Sequence, residues 1–169
     1  MPFRKLPLVR RAVDDASIEA RSLDRPELSP PAPDGSVRIV SWNIALGRKL
    51  QGVDALLRES ANLREARVIA LQEVSRTARW SQADKLAEAL GWNYVYAGAH
   101  RCGLGRERGQ AILTPYPILR SWRIALPQVR HPRIALAADV QLGDTVLRVV
   151  NVHLENRTRV NPFIIERRA

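Results

Sequence analysis

Three side chains that could perform chemistry lie at or near the ends of short apolar stretches. Asn43 ends "VRIVSWN", Glu73 comes late in "VIALQEV", and His153 comes late in "VVNVHLE". An amide oxygen and a carboxylate are hard oxygen ligands, which suit Mg²⁺ or Ca²⁺ better than zinc. A histidine is the side chain best suited to exchanging a proton near neutral pH. Asn43, Glu73 and His153 are therefore the candidates for a functional site.

Each of these residues also has a purely structural interpretation. Asn43 could cap a turn, and Glu73 could be a solvated charge at the end of a strand. A single histidine on an apolar strand is more often a satisfied structural group than a catalyst. The residue types alone leave both interpretations open.

A strand–helix–strand pattern would position Asn43 and Glu73. Apolar runs of strand length over 37–43 and 67–74 flank "VDALLRESANLREA", whose apolar residues fall near helical spacing. This length is typical of a βαβ unit, so the two strands should be parallel and buried between layers. Ligands bind just outside the carboxyl ends of such strands, where Asn43 and Glu73 fall.

The sequence that follows predicts one more helix and then a series of strands. "SQADKLAEALG" has an i, i+3, i+4, i+7 apolar stripe, with Ser81 placed to cap its start and Gly91 to end it. A helical first part followed by strands predicts a layered α/β or α+β domain. The predicted strands are "WNYVYAG", "GQAILTPYPI", "WRIAL", "RIALAADVQLG" and "TVLRVVNVHL", and "AHRCGLGRER" is predicted as a loop.

Composition divides the chain into three parts. Residues 8–22 predict a short charged helix, and the prolines over 26–33 mark a linker that cannot be helical. We therefore expect an N-terminal extension over 1–35, a folded domain over 36–156 and an atypical tail over 157–169.

Length, charge and cysteine content limit the classes of protein. A chain of 169 residues with 46% hydrophobic residues suits one globular domain, and the single Cys102 excludes a disulfide scaffold. No apolar run approaches a membrane span, and the N-terminus lacks the apolar core of a secretory signal, so a cytoplasmic protein is expected. The net charge of +10 permits an anionic partner, but scattered arginines fit a compositional bias equally well.

Four motifs, taken in order, resemble the first half of the endonuclease/exonuclease/phosphatase family. They are "VRIVSWNI", "VIALQEV", "GQAILTPYPI" and "VVNVHLE", and they span about Val37 to Glu155. That family includes pancreatic-type deoxyribonucleases, abasic-site endonucleases, neutral sphingomyelinases and inositol-phosphate phosphatases. The resemblance implies a four-layer α/β/β/α sandwich, of which this chain would supply one sheet with its helices and part of the other.

The resemblance also implies a role for each candidate residue. Asn43 matches the asparagine that helps to hold metal and phosphate, and Glu73 matches the metal-binding glutamate. His153 matches the histidine that contacts the scissile phosphate and assists proton transfer to the leaving oxygen. Arg133, in "HPRIAL", resembles less specifically a residue that places phosphate. The implied cofactor is Mg²⁺, with Mn²⁺ or Ca²⁺ as alternatives, and the implied reaction is hydrolysis of a phosphate ester in DNA, RNA, phospholipid or inositol phosphate.

Two motifs that the family carries beyond this point do not occur in the sequence. They are a Gly-Asp-x-Asn segment and an Asp-His pair whose histidine acts as general base. The only Gly-Asp pair, Gly143-Asp144, continues into Thr145-Val146, and there is no Asp-His pair. The tail "RVNPFIIERRA" also fits the family's polar helix badly. We therefore expect a truncated chain, through an incomplete gene or a shifted reading frame, that is inactive or nearly so by itself.

Two functions of different classes follow. The first is a Mg²⁺-dependent phosphoesterase, or a truncated remnant of one, supported by the ordered set Asn43, Glu73 and His153. The second is a non-catalytic module that uses its charge to hold nucleic acid or anionic lipid, with salt-sensitive affinity and no metal requirement. Aromatic residues make up 5% of the chain, which argues against a stacking platform for single strands.

Overall fold

The structure, a computed structural model, describes residues 18–21, 35–127 and 131–154. Over these residues the elements follow in chain order as β1 (Ile18–Arg21), β2 (Ile39–Asn43), α1 (Leu50–Glu59), α2 (Ala61–Arg64), β3 (Val68–Thr77), β4 (Trp80–Ser81), α3 (Gln82–Leu90), β5 (Asn93–Cys102), β6 (Arg106–Thr114), β7 (Ile118–Leu126), β8 (Arg133–Leu142) and β9 (Thr145–Val152). A short 3-10 turn, Ala45–Gly47, follows β2.

The strands form two sheets. The first has the order β1-β5-β6-β3-β2, with β4 paired to β3, and the second has the order β7-β8-β9. β2 and β3 are parallel, in a register that sets Asn43 beside Gln72. The predicted parallel βαβ unit is therefore confirmed, and the helices α1 and α2 form its crossover.

Two apolar cores hold three layers together. On one face of the first sheet, Leu57 of α1 and Leu86 of α3 pack against Leu71 and Tyr96. Between the sheets, Val95 and Ile112 of the first pack against Leu136 and other residues of the second. β3 is buried on both of its faces because Ile69 and Leu71 enter the helix-side core and Val68 enters the core between the sheets.

The ends of α3 are as predicted. The Ser81 Oγ accepts a hydrogen bond from the Asp84 backbone N–H at 3.3 Å. Gly91 has a φ of 68°, a left-handed conformation that costs glycine little, and so ends the helix.

Two predictions of local structure are wrong. The helix expected over 8–22 does not reach its last residues, because Ile18–Arg21 forms β1 and pairs antiparallel with β5. Glu19 stabilises this strand: its carboxylate accepts a hydrogen bond from Tyr94 and pairs with the Arg76 Nε at 2.5 Å. The other residues of that stretch, the proline-rich linker and the tail lie outside the described residues, so the three-part division of the chain stays a prediction.

The predicted loop "AHRCGLGRER" is instead the tip of a hairpin. β5 continues to Cys102 and β6 starts at Arg106, with Arg101 opposite Glu107 across the ladder. The turn between them uses left-handed backbone at Leu104 and Gly105. These strand ends consist mainly of polar and charged residues. A search for alternating apolar residues therefore does not detect them. No helix in the described part of the chain is long and apolar enough to cross a membrane.

Candidate active site

The ends of β2 and β9 and a bulge within β3 bring the candidate residues together. The expectation that Glu73 ends its strand is wrong, because β3 continues to Thr77 and pairs with β6 beyond the bulge. Asn43 is the last residue of β2, and its Nδ2 donates a hydrogen bond to the Glu73 Oε1 at 3.1 Å. His153 directly follows β9, and its Nε2 lies 3.8 Å from the same carboxylate oxygen. Glu73 lies 30 positions after Asn43 (73 − 43), and His153 lies 80 positions after Glu73 (153 − 73). The fold nevertheless brings the three residues into one small site.

Asn43 also has the structural role considered above. Its Oδ1 accepts a hydrogen bond from the Ala45 backbone N–H at 2.9 Å, which caps the turn after β2. Ala45 and Leu46 follow with positive φ angles of 50° and 63°. The amide thus fixes the turn with its oxygen and orients the Glu73 carboxylate with its nitrogen, and the oxygen keeps one lone pair for a ligand.

Glu73 has an unusual backbone. Its φ is 56°, in the left-handed region, which costs a residue with a Cβ about 1–2 kcal/mol. The register between β3 and β6 shifts here, between Gln72 and Val74. This bulge leaves Gln72 and Val74 buried while the Glu73 side chain remains 33% exposed. Strain that persists at a solvent-accessible carboxylate is typical of functional positions.

His153 lies between a cation and an anion. Arg133 approaches the His153 Nδ1 through its Nη1 at 3.3 Å. Because a guanidinium has no acceptor, Nδ1 must accept this bond, and the neutral ring then carries its proton on Nε2, on the side of Glu73. Burial of the ring lowers the pKa of His153, Arg133 lowers it further, and Glu73 opposes both. These effects favour the neutral imidazole, whose Nε2–H is a hydrogen-bond donor on the side of Glu73.

A buried polar network beneath the site fixes β9 against the first sheet. The Gln72 Nε2 donates to the Asn151 Oδ1 at 2.7 Å. The Asn151 Nδ2 in turn donates to the backbone oxygens of Leu71 at 2.8 Å and Ala111 at 3.0 Å. Sequence reasoning missed this pair as a site component, although an asparagine on the inward side of an apolar strand, two residues before His153, was a visible signal.

The donor set fits a hard divalent cation such as Mg²⁺. Glu73 supplies a carboxylate and Asn43 an amide oxygen, and Mg²⁺ is commonly held by one or two carboxylates while it keeps several waters and binds substrate phosphate. Among the described residues there is no cluster of three or more His, Cys, Asp or Glu side chains, so the closed ligand set that zinc requires is not formed there.

Known proteins support the fold. Comparison with protein-family models and with curated proteins finds no match. An endonuclease/exonuclease/phosphatase family protein from Leptotrichia buccalis superposes with a TM-score of 0.61 and 16% identity, over 79% of this chain and 64% of that one. A protein described in the same way from Beutenbergia cavernae gives 0.58 and 20%, over 72% and 39% of the two chains. TDP2 of D. rerio, complexed with a single-strand DNA product, gives 0.56 and 20%, over 75% and 49%.

The chain therefore has the fold of endonuclease/exonuclease/phosphatase proteins, as predicted. At these identities the likeness establishes the fold and not the activity. The chain spans less than two thirds of the length of each of these three structures. In the described residues the architecture comprises the helices, the first sheet and three strands of the second.

Proposed function

We propose that this chain belongs to the endonuclease/exonuclease/phosphatase family by descent and carries the metal-holding part of a phosphoesterase site. The observation that carries the proposal is the convergence of Asn43 at the end of β2, Glu73 at the bulge of β3 and His153 just after β9, with Glu73 held in left-handed backbone. A solvated strand-end charge would need neither that conformation nor an amide partner.

Each residue has a distinct task in this proposal. Glu73 would hold Mg²⁺, which would neutralise charge on the phosphoryl oxygens when bound. Asn43 orients the Glu73 carboxylate and offers its remaining lone pair to the ion. Arg133 attracts the phosphate and holds the tautomer of His153. The His153 Nε2–H would donate a hydrogen bond to a phosphoryl oxygen and so stabilise the charge that develops as the leaving oxygen departs.

We further propose that the chain has little activity by itself. The sequence lacks the Asp-His pair that supplies the family's general base, and such a base contributes about 10²–10⁴-fold. The site within the described residues has the groups that bind phosphate and metal but no second histidine bonded to a carboxylate that could activate water.

The substrate we propose is a phosphate ester, with DNA as the first to test. The TDP2 structure contains a single-strand DNA product, and the net charge of +10 would favour a polyanion. RNA, phospholipid and inositol phosphate are the alternatives.

A non-catalytic basic module is the second candidate, and one cluster favours it. The His100 ring stacks on His131 with ring centroids 5.5 Å apart, and Arg108 lies opposite His100 across the β5–β6 ladder. Such a module would bind nucleic acid or anionic lipid with an affinity that falls steeply with salt and ignores divalent metal.

Mn²⁺ binding separates the two candidates and does not depend on turnover. Water-proton relaxation should detect one Mn²⁺ site that Mg²⁺ displaces, and Glu73→Gln should abolish it. Glu65→Gln is the matched control, because Glu65 is exposed and pairs only with Arg38 among the contacts described. Unchanged Mn²⁺ binding in Glu73→Gln would contradict the proposed metal site.

Hydrolysis of bis(p-nitrophenyl) phosphate with and without Mg²⁺ then measures how much activity the chain retains.

A further inference from the structure

One buried glutamine contacts both of the backbone segments that carry Asn43 and Glu73. Gln82 is the first residue of α3 and is 2% exposed. Its Nε2 donates a hydrogen bond to the backbone oxygen of Leu46 at 2.9 Å. Its Oε1 accepts a hydrogen bond from the backbone N–H of Ser75 at 2.7 Å. A single side-chain amide therefore joins the turn after β2 to the part of β3 that follows the bulge.

Both segments contain residues in left-handed backbone. In the turn after β2, Ala45 and Leu46 have φ angles of 50° and 63°, and Glu73 in the bulge of β3 has a φ of 56°. Residues with a Cβ rarely adopt such angles, and they keep them only where the surrounding structure enforces them. Gln82 bonds to Leu46 itself and to the second residue after Glu73. The glutamine is thus placed to enforce both conformations.

Gln82 bonds to β3 just beyond the ladder with β2. That ladder ends with the pair Asn43 and Gln72, whereas β3 continues to Thr77. Within the described residues β2 therefore supplies no ladder partner to Ser75, and the Gln82 Oε1 accepts its N–H. A side chain of α3 thus replaces a strand acceptor directly after the bulge.

Gly47 provides the space that this amide occupies. A Cβ at Gly47 would lie 1.9 Å from the Gln82 Nε2 and 2.5 Å from its Cδ, and the φ of Gly47 is 60°. A residue with a side chain at this position would therefore displace the amide and strain the turn as well. Gly47 and Gln82, 35 positions apart (82 − 47), form one packing unit.

The two contacts require the chemistry of a glutamine. One end of the side chain must donate to a carbonyl oxygen and the other must accept from an N–H. A carboxylate only accepts and an ammonium group only donates, whereas an amide does both. Asparagine has the same amide on a side chain that is shorter by one methylene group.

We propose that Gln82 is a positioning residue of the candidate active site: it fixes the turn after β2 against the bulge of β3 and so sets the geometry between the Asn43 amide and the Glu73 carboxylate. The hydrogen bond of 3.1 Å between these two side chains spans the same two segments. Gln82 acts on them through the backbone of Leu46 and Ser75. Its effect on a metal ion rests on the proposed function, in which Glu73 holds Mg²⁺.

Gln82→Met tests the proposal on the full chain. Methionine has a similar length and fills irregular buried space, but it makes neither hydrogen bond. We expect the NMR signals of the Asn43 Nδ2 protons and of the Ala45 N–H to move, because the Ala45 N–H donates to the Asn43 Oδ1. The Ser75 amide should also exchange its hydrogen faster. Unchanged Asn43 and Ala45 signals in a folded Gln82→Met chain would overturn the proposal.

Asn93→Leu is the matched control, because it removes a buried hydrogen bond outside the site. Asn93 is 4% exposed, begins β5 and donates to the Tyr116 backbone oxygen at 2.8 Å. Both variants should lower the free energy of unfolding measured in urea. Only Gln82→Met should move the Asn43 signals, since a purely structural glutamine would act on stability alone. Equal changes at Asn43 in both variants would rule out a positioning role.

Gly47→Ala displaces the same amide from the other side and leaves Gln82 in the sequence. Gly91→Ala is its control, because Gly91 has a similar φ of 68° but open space at its Cβ position. It therefore adds the backbone strain without the collision. We expect faster exchange of the Ser75 amide in Gly47→Ala and no change there in Gly91→Ala. An unaffected Ser75 amide in Gly47→Ala would overturn the proposal, and this pair decides it if Gln82→Met does not fold.

Mn²⁺ affinity, measured by water-proton relaxation, then tests the consequence for the metal. Residues that orient metal ligands commonly change metal affinity by about 10–100-fold when they are substituted. We expect Gln82→Met to weaken Mn²⁺ binding about tenfold and Asn93→Leu to leave it unchanged. Unchanged affinity in Gln82→Met would overturn the positioning role. If the unsubstituted chain binds no Mn²⁺, the proposed function fails, and the NMR signals and the Ser75 exchange still decide what Gln82 does.

Discussion

The two sheets are stabilised in different ways. The first sheet is covered on both faces, by helices on one side and by the second sheet on the other. Among residues 18–21, 35–127 and 131–154 the second sheet is covered on one face, and its outer face exposes Ile124, Val150 and Val152 by 42–50%. The apolar contacts of the described residues therefore stabilise the first sheet from both sides and the second from one.

Polar contacts stabilise the outer face of the second sheet in place of apolar packing. Asp139, 4% exposed, lies between Arg120 and Arg148 on the neighbouring strands. Its carboxylate accepts hydrogen bonds from Arg148 at 2.7 and 3.0 Å and from Arg120 at 2.5 Å. The two guanidinium groups also lie over the Trp122 ring, at 5.2 and 5.1 Å from its centroid. This row joins the three strands of the second sheet on the face that the described residues leave open.

The largest expected effect is a difference in the cost of truncating apolar side chains. Leu71→Ala should lower the free energy of unfolding by about 2–5 kcal/mol, because Leu71 is fully buried and a cavity would remain. Val150→Ala, on the outer face of the second sheet, should change it by no more than about 0.5 kcal/mol. Urea unfolding followed by circular dichroism measures both. Similar losses would mean that the outer face is covered in solution.

The next-largest effect on the free energy of unfolding is expected for the polar contact that Asn151 makes between the two sheets. Asn151→Ala removes the buried hydrogen bonds that Asn151 makes with Gln72 and with two backbone oxygens, which should cost about 1–3 kcal/mol. Because Asn151 also holds β9 in place, the same change should move the imidazole NMR signals of His153. Asn62→Ala, on α2, is the control. A stable variant with unchanged His153 signals would show that the network does not position the site.

Sequence patterns predicted the parts of the fold in which local and tertiary preferences agree. The apolar runs of β2 and β3, the stripe of α3 and its caps at Ser81 and Gly91 all follow from periodicity and turn chemistry. The proximity of Asn43 and Glu73 was also predicted, but for a reason that is only half right: β2 ends at Asn43, whereas β3 continues past Glu73 to Thr77 and presents the carboxylate at a bulge.

What the patterns missed depends on partners distant in sequence. β1 forms because β5 offers a free edge and because Tyr94 and Arg76 bind Glu19, and none of these is visible within 8–22. The bulge at Glu73 arises from its register against β6, and the role of Asn151 depends on Gln72, 79 residues away. Local propensity carries no information about such contacts.

The acid stability of the second sheet is a smaller expected effect. Hydrogen bonds from Arg148 and then from Arg120 lower the pKa of Asp139 well below its usual range. A carboxyl whose pKa is lower in the folded state stabilises the protein above its unfolded pKa of about 3.9 and loses that contribution as the pH falls further. Asp139→Asn should therefore reduce the fall in stability below about pH 4. Asp144→Asn, in the turn before β9, is the control, and equal slopes in both variants would contradict this role.

The smallest expected effect is a change in the pKa of His153, which lies where the two sheets meet. Burial lowers its pKa, Arg133 lowers it and Glu73 raises it, so the folded value lies below the unfolded value of about 6.5. The unfolded chain then binds the proton more readily, and the contribution of His153 to stability is lost as the pH falls through 6.5. Arg133→Gln should raise the pKa measured by NMR titration, and Glu73→Gln should lower it. Because Arg133 begins β8 of the second sheet and Glu73 belongs to β3 of the first, opposite shifts would locate the histidine between the two sheets, whereas shifts of the same sign would mean that one substitution moves the ring.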